Sequence, residues 1–150
     1  MNMYTKVFQL HAKLLKALSN PKRLEVLQLL RAQSLRVGEM SQMLGLAQAN
    51  LSQHLMVLRR LGVVATERRG KEIYYHIAHK SFTKAVDLMR GVLIERLGQT
   101  AARAAEQLSV ETDPMCGMHL TPASAAGSLV HKGKTYYFCG RGCERAFHKS

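Results

Sequence analysis

Apolar residues recur at helical spacing through the first two thirds of the chain. Val7, Leu10, Leu14, Leu15 and Leu18 make one stripe, which predicts an amphipathic helix. Asn20-Pro21 then reads as an N-cap followed by proline at the first helical position, where its missing N–H costs nothing. The helix it opens carries Leu24, Val26, Leu27, Leu29 and Leu30 on so wide an arc that it belongs at the centre of a core. Val37, Met40, Met43 and Leu44 line a short third helix, and Gly45-Leu46 breaks it. From about Gln48 a fourth helix turns Leu51, Leu55, Leu58 and Leu61 inward at spacings of four, three and three, until Gly62 ends it. The composition then becomes β-branched and aromatic, in Val63, Val64 and Thr66 and again in Ile73, Tyr74, Tyr75 and Ile77. Arg68-Arg69-Gly70-Lys71 joins these runs, so a β-hairpin with a basic tip is expected. A long helical pattern follows from Ser81 to Leu108 through Phe82, Val86, Met89, Leu93, Leu97, Ala101 and Ala104. Such a helix would be about 40 Å long. That exceeds what a core of this size can cover, so part of the stripe is expected to meet a second subunit.

The pattern changes once more near residue 109. Ser109 to Pro114 is polar, acidic and ends on proline. Beyond it come Met115-Cys116-Gly117-Met118, a stretch of small residues to Gly127, a hairpin pattern through Val130 and Tyr136-Tyr137-Phe138, and a last helical turn with Phe147. No internal repeat is present. The expected organisation is one unit over 1–108, a linker over 109–113 and a small module over 114–150. The fold class is α+β: a mostly helical unit carrying a winged hairpin, with a cysteine-containing hairpin and helix attached.

Charge narrows the function. The chain carries 22 Lys and Arg against 10 Asp and Glu, a formal +12. Residues 1–108 account for +10 of it and residues 109–150 for +2. So basic a unit calls for an anionic partner, nucleic acid before an acidic membrane. No apolar run approaches a membrane span, and Lys6, His11 and Lys13 interrupt the N-terminal apolar positions, so no signal-peptide core forms. A cytoplasmic protein is expected. Its three cysteines are then reduced thiols, and an odd number cannot pair fully in any case. No acid–base pair, phosphate loop or nucleophile elbow is found, which argues against an enzyme. No small-molecule substrate is expected.

Two helices joined by a tight glycine turn form a helix-turn-helix, whose second helix enters a major groove. Its outward positions are Gln48, Asn50, Ser52, Gln53, Met56, Arg59 and Arg60. Gln and Asn match adenine edges, and the two arginines suit phosphates. Arg68, Arg69 and Lys71 on the hairpin make a wing able to reach backbone or minor groove.

The run Leu18-Ser19-Asn20-Pro21-Lys22-Arg23-Leu24-Glu25-Val26-Leu27 resembles the opening signature of the ArsR/SmtB family of winged-helix repressors. Leu44 to Leu58, with its Ser52-Gln53-His54-Leu55 core, resembles that family's recognition segment. The resemblance covers about residues 5–100. It implies a homodimer, here through residues 81–108, a palindromic double-stranded operator, and repression relieved by a signal. Ala47 stands where the family usually has a capping serine. His54 matches the family, with packing and phosphate contact both open to it. Metal-sensing members carry two cysteines at the positions of Arg36 and Gly38, or Asp and His ligands along the last helix. Here Ser81–Leu108 holds no His or Cys, and Asp87 alone cannot hold a soft cation. The sensor is expected elsewhere.

Cys116, Cys139 and Cys143 are separated by 22 and then 3 residues. The last two span a Gly-Arg-Gly knuckle that lets both sulfurs face inward. Asp113-Pro114-Met115-Cys116-Gly117-Met118, with Tyr136 to Phe147, resembles the YHS domain and its TRASH relatives on heavy-metal sensors and copper-transporting ATPases. The resemblance implies Cys116, Cys139 and Cys143 as metal ligands. Three thiolates favour Cu(I) or another thiophilic ion over Zn(II), which prefers four ligands. His119, His131 or His148 could supply a fourth. Met115 and Met118 are soft enough for Cu(I), with packing as their default role. Arg141 and Arg145 are expected to lower the thiol pKa values. The resulting expectation is a repressor responsive to a soft metal, most naturally copper. The rival readings are a redox or persulfide sensor, a structural zinc knuckle, and a metal chaperone or store that uses the first unit only to dimerise.

Overall fold

The computed structural model of the chain describes residues 2–149; residues 1 and 150, at which the two expected units begin and end, lie outside the described residues. Helix α1 (Met3–Leu18) opens on Asn2, whose side chain accepts the Tyr4 N–H at 3.2 Å. Helix α2 (Pro21–Leu29) starts as its Asn-Pro signature predicts: Asn20 Oδ1 accepts the Arg23 N–H at 3.2 Å, and Pro21 occupies the first turn. Val26, Leu27, Leu29 and Leu30 are all buried, so α2 is the central helix of the core. Helix α3 (Val37–Leu44) adds Met40 and Met43. It stops at Gly45, whose φ of 61° is left-handed and closes the turn at no steric cost. Helix α4 (Gln48–Arg60) packs Leu51, Leu55 and Leu58 against that core. Its N-cap, Ala47, makes no side-chain hydrogen bond.

Strands β1 (Val64–Arg69) and β2 (Glu72–Ile77) pair antiparallel from Val64↔Ile77 to Arg69↔Glu72. Gly70, at φ 63°, leads the two-residue turn. Leu35 adds a bridge on the other side of β2, trading two backbone hydrogen bonds with Tyr75 at 3.0 and 2.8 Å. The wing is thereby sewn to the segment that leads into α3.

One expected element is corrected. The helical pattern from Ser81 to Leu108 is two helices, α5 (Lys80–Leu97) and α6 (Gln99–Glu106). Gly98 separates them at φ 73° and ψ −160°, a conformation that side chains resist. A continuous rod of about 40 Å is therefore not formed. Helix α5 is tied to α2 by Arg90 donating to Gln28 at 2.8 Å, and to the turn that follows α2 by the Arg31–Asp87 ion pair. Asp87 is thus held by Arg31, with Arg90 at 3.6 Å.

The segment expected as a linker is structured too. Val110 packs on the winged-helix core. Glu111 and Thr112 form β3 (Glu111–Thr112), paired antiparallel with β4 (His119–Leu120), and Asp113 is fully buried. Two-residue strands have no readable alternation, and their polar composition resembles a linker. Strands β5 (Gly127–His131) and β6 (Lys134–Phe138) form the expected hairpin, turned by Lys132 and Gly133 at φ 49° and 77°. Both positive φ values are what a type I′ turn requires. Helix α7 (Arg141–His148) lays Phe147 against Phe138, Tyr136 and His131, with ring centroids 5.4, 4.9 and 6.0 Å away. No helix among the described residues is long and apolar enough to cross a membrane.

Two helices leave apolar faces uncovered. On α1 these are Met3, Tyr4, Val7, Phe8, Leu10 and Leu15; on α5, Leu88, Met89, Val92, Leu93 and Leu97. The α5 face is the one expected to meet a second subunit, and the α1 face is additional. Two stripes of this kind exceed the scattered apolar exposure of a monomer surface. Leu93→Asp should bury a charge in that seam and halve the sedimenting mass, while Leu93→Met should leave it unchanged. Wild-type protein sedimenting as a monomer would contradict the seam.

Candidate functional site

The outward face of α4 is set by what its inner face must bury. With Leu51, Leu55 and Leu58 at 1% exposure or less, Gln48, Asn50, Ser52, Gln53, Met56, Arg59 and Arg60 are all exposed, and His54 is half-buried. Ser52, Met56, Arg59 and Arg60 line an open groove with Tyr75 of the wing. The polar helix face and the hairpin therefore border one concave surface. Arg60 Nη2 lies 3.7 Å from Met56 Sδ, and the residue also borders a second groove with Lys13, Lys16 and Arg23.

The wing is less freely basic than its sequence reads. Arg69 pairs with Glu67 at 2.9 Å and lies over the Tyr74 ring at 4.6 Å. The hydrogen bond from Arg69 holds the Glu67 carboxyl below its ordinary range and raises Arg69 in turn. Arg68 Nε donates to Gly70 O at 3.1 Å, across the turn. Lys71 is exposed at the tip. Glu67 is the residue missed by reading the tip as a run of cations.

The cysteine cluster is assembled from three elements. Cys116 comes from the loop between β3 and β4, Cys139 follows β6, and Cys143 sits in the first turn of α7. Cys116 Sγ is 3.5 Å from Cys139 Sγ, which is 3.7 Å from Cys143 Sγ. All three are free thiols. Together with a carboxylate oxygen of Asp113, their donor atoms lie within 4.8 Å of one another. Sulfurs held at about 2.3 Å by one tetrahedral ion would be about 3.8 Å apart. The spacing therefore fits a single thiophilic ion. None of the three candidate histidines belongs to this group: His119 faces Gln33 at 2.9 Å, His131 meets Phe147 edge-on, and His148 is exposed at the end of α7.

Asp113 is the residue that sequence reading left in the linker. Its Oδ1 accepts the N–H groups of Met115 and Cys116 at 2.8 and 3.4 Å, and Oδ2 accepts that of Cys139 at 2.8 Å. It thus fixes the backbone of two of the three cysteines at once. The only sequence trace of this role is its place directly before Pro114 in the Asp-Pro-Met-Cys run. Burial alone would raise its pKa, but the Cys139 and Met115 N–H groups outweigh that and hold it at about 2.

This carboxylate reverses the expected thiol chemistry. Asp113, and then the Cys116 thiol, push Cys139 up to about 12. The Cys139 thiol favours the thiolate of Cys143, but burial, Cys116 and Asp113 outweigh it and the net shift is upward. Arg141 and Arg145, expected to lower these values, are exposed and do not dominate. An anion inside the cluster is closer than cations pointing into water.

Comparison with known proteins places both parts of the chain. Residues 20–66 match the model of the bacterial regulatory protein, arsR family, and residues 111–150 match that of the YHS domain. An HTH-type transcriptional regulator of Mycobacterium tuberculosis is 39% identical over 97 residues, 64% of this chain and 85% of the relative. The biofilm growth-associated repressor of Xylella fastidiosa is 40% identical over 78 residues, 52% of this chain and 68% of the relative. Among solved structures, the homodimeric winged helix-turn-helix DNA-binding domain of a Mycobacterium bovis protein aligns with a TM-score of 0.60 at 28% identity. It covers 65% of this chain and 90% of that domain.

Protonated thiols must release their protons to bind an ion. Apparent metal affinity should therefore rise with pH, by roughly tenfold per pH unit for each proton displaced. Competition titrations from pH 6 to 9 with a chromophoric chelator measure the slope. A flat profile would mean that the thiols are already ionised and that Asp113 does not hold their protons.

Proposed function

Because the chain belongs to the ArsR family of bacterial regulatory proteins, we propose that it is a dimeric repressor whose cysteine cluster reports a soft metal ion, Cu(I) above others, to an operator-reading winged helix. The family is one of DNA-binding transcriptional regulators, not enzymes, which favours a regulator over a metal store. A regulator of this kind works in the cytoplasm, where its DNA is.

The observation that carries the sensing reading is the gathering of three sulfurs at 3.5 and 3.7 Å on a chain whose DNA-reading unit offers no such ligands. At the positions of the family's paired cysteines, Arg36 is engaged with Glu72 at 3.0 Å and Gly38 has no donor at all. Asp113, already accepting three N–H bonds, is better suited to shape the cluster than to complete a tetrahedron. Three sulfur donors suit Cu(I), which accepts low coordination, better than Zn(II). At Cys139 and Cys143 the raised thiol pKa values weigh against a redox switch, since the thiolate is the reactive form.

For DNA, Gln48, Asn50, Ser52 and Gln53 are assigned to base edges and Arg59, Arg60, Arg68, Arg69 and Lys71 to phosphates, with His54 at the margin. The operator is twofold symmetric, with half-sites ~34 Å apart or a multiple of it. Gln53→Ala should alter preference among duplexes, costing about 1–3 kcal/mol at one base pair. Lys71→Ala should weaken every duplex and reduce the salt slope by about one. Arg69→Ala should do so less, because Glu67 already shares that charge. Fluorescence anisotropy across a salt series distinguishes these; equal effects from all three would void the assignment of the reading face.

For sensing, Cys116→Ser, Cys139→Ser and Cys143→Ser should each weaken Cu(I) binding by more than roughly tenfold. Each variant should still dimerise and bind operator, and should no longer respond to the ion. Should operator affinity be the same for apo, Cu(I)-loaded and oxidised wild-type protein, the sensing role would be lost and the regulator alone would stand.

A further inference from the structure

The cysteine module touches the winged-helix unit at a point that also touches the wing. His119 Nδ1 lies 2.9 Å from Gln33 Nε2, so the amide donates to the ring in its Nε2-protonated form. Gln33 belongs to the short turn between α2 and α3. Two residues on, Leu35 exchanges its pair of backbone hydrogen bonds with Tyr75 of the wing. Arg36, next in the chain, reaches the wing's Glu72 at 3.0 Å. Residues 33–36 therefore hold the module at one end and the wing at the other.

The same histidine is closely coupled to the thiols. It pairs with Thr112 across β3 and β4. Asp113 follows Thr112, and its N–H donates to Met118 O at 2.9 Å, while Gly117 N–H returns to Asp113 O at 2.9 Å. Residues 113–118 thus form a closed loop that carries Cys116 and ends one residue before His119. Cys116 is the exposed member of the cluster; Cys139 and Cys143 are part-buried behind it.

We propose that the His119–Gln33 contact is where the state of the thiol cluster crosses to the DNA-reading unit. The proposal rests on the sensing reading above and adds the route of the signal. An ion bound by all three sulfurs would replace the thiol–thiol contacts at 3.5 and 3.7 Å by bonds to itself, and Cys116, as the exposed member, has the most room to adjust. Its loop is pinned by Asp113, so that movement is passed to Met118 and His119. The ring then shifts against Gln33, and the turn at 33–36 carries the change into the seating of the wing beside α4. One hydrogen bond made in one state and not the other is enough to bias an equilibrium about tenfold.

The test uses the full-length reduced dimer, a duplex selected from random sequence by the wild-type protein, and Cu(I) from a chelator buffer. His119→Ala and Gln33→Ala should bind Cu(I) within about twofold of wild type. Their operator affinity should no longer change with the ion, against a change of about tenfold in wild type. His119→Asn, whose amide reaches the position of Nδ1, should restore much of the response. A readout without DNA accompanies this: hydrogen exchange of the Leu35 and Tyr75 amides should change on Cu(I) addition in wild type and not in His119→Ala. A variant that loses its helical circular dichroism is replaced by the one on the opposite side of the contact. If wild type and both variants respond equally, the route is wrong and the sensing reading survives. If wild type itself ignores Cu(I) in both readouts, sensing and route fall together.

Discussion

A carboxylate that water cannot reach organises the C-terminal third of this protein. Asp113 has no exposed surface, and it is satisfied by backbone N–H groups from both sides of the cysteine cluster. Burying an ionised group is costly unless such bonds replace its hydration. Residues 115, 116 and 139 supply them, so the loop before β4 and the end of β6 are held in one arrangement by one side chain. The small module has little else to hold it. Its interior rests on Phe138 and Leu120 with the Phe147 ring packed alongside, less than a free-standing domain needs.

The charge that shapes the cluster also sets its chemistry. A fixed anion beside Cys139 and Cys143 stabilises the protons of those two thiols and disfavours their nucleophilic thiolate form. A bound metal ion would reverse the balance, because a positive centre would displace thiol protons and make the neighbouring carboxylate a favourable contact. Arg141 and Arg145 could have made the opposite device had they faced inward, but both spend their charge in solvent.

Much of this was legible in the residues. The Asn20-Pro21 cap, the Leu51/Leu55/Leu58 stripe and the switch from helical period to β-branched residues at Val63 each carry a local physical cause, and each appears as expected. Glycine was the weak point. Gly91 lies inside α5, whereas Gly98 breaks the same pattern seven residues later. A helical period accepts a glycine in either role, and only the surroundings decide. Periodicity also states that a face is covered without saying by what. The stripe of α1 reads like core, yet Val7, Leu10 and Leu15 remain exposed on the single chain. Among the site residues, the three cysteines announce themselves by spacing, while Asp113 looks like any acidic linker residue. Its importance arises from hydrogen bonds to backbone atoms distant in sequence, and backbone atoms leave no mark on composition.

The segment between α2 and α3 is where a site outside the winged-helix unit can act on it. The wing is tied to the α2–α3 turn by the Leu35–Tyr75 bridge and to the start of α3 by Arg36 and Glu72. Helix α3 in turn carries α4 through the Gly45 turn. The same short segment therefore touches the wing and opens the helix that leads into α4. Cysteines at the positions of Arg36 and Gly38 would act on that segment directly. Here those positions are filled by a salt bridge and a bare backbone, and the thiols lie in a module that leans on Gln33, three residues away. On the reading proposed above, the ligands lie elsewhere in the chain while the point at which they bear on the DNA-reading surface is nearly the same. A coupling device of this kind needs only contiguity with the segment and two arrangements of the contact; it does not need the metal to lie near the DNA.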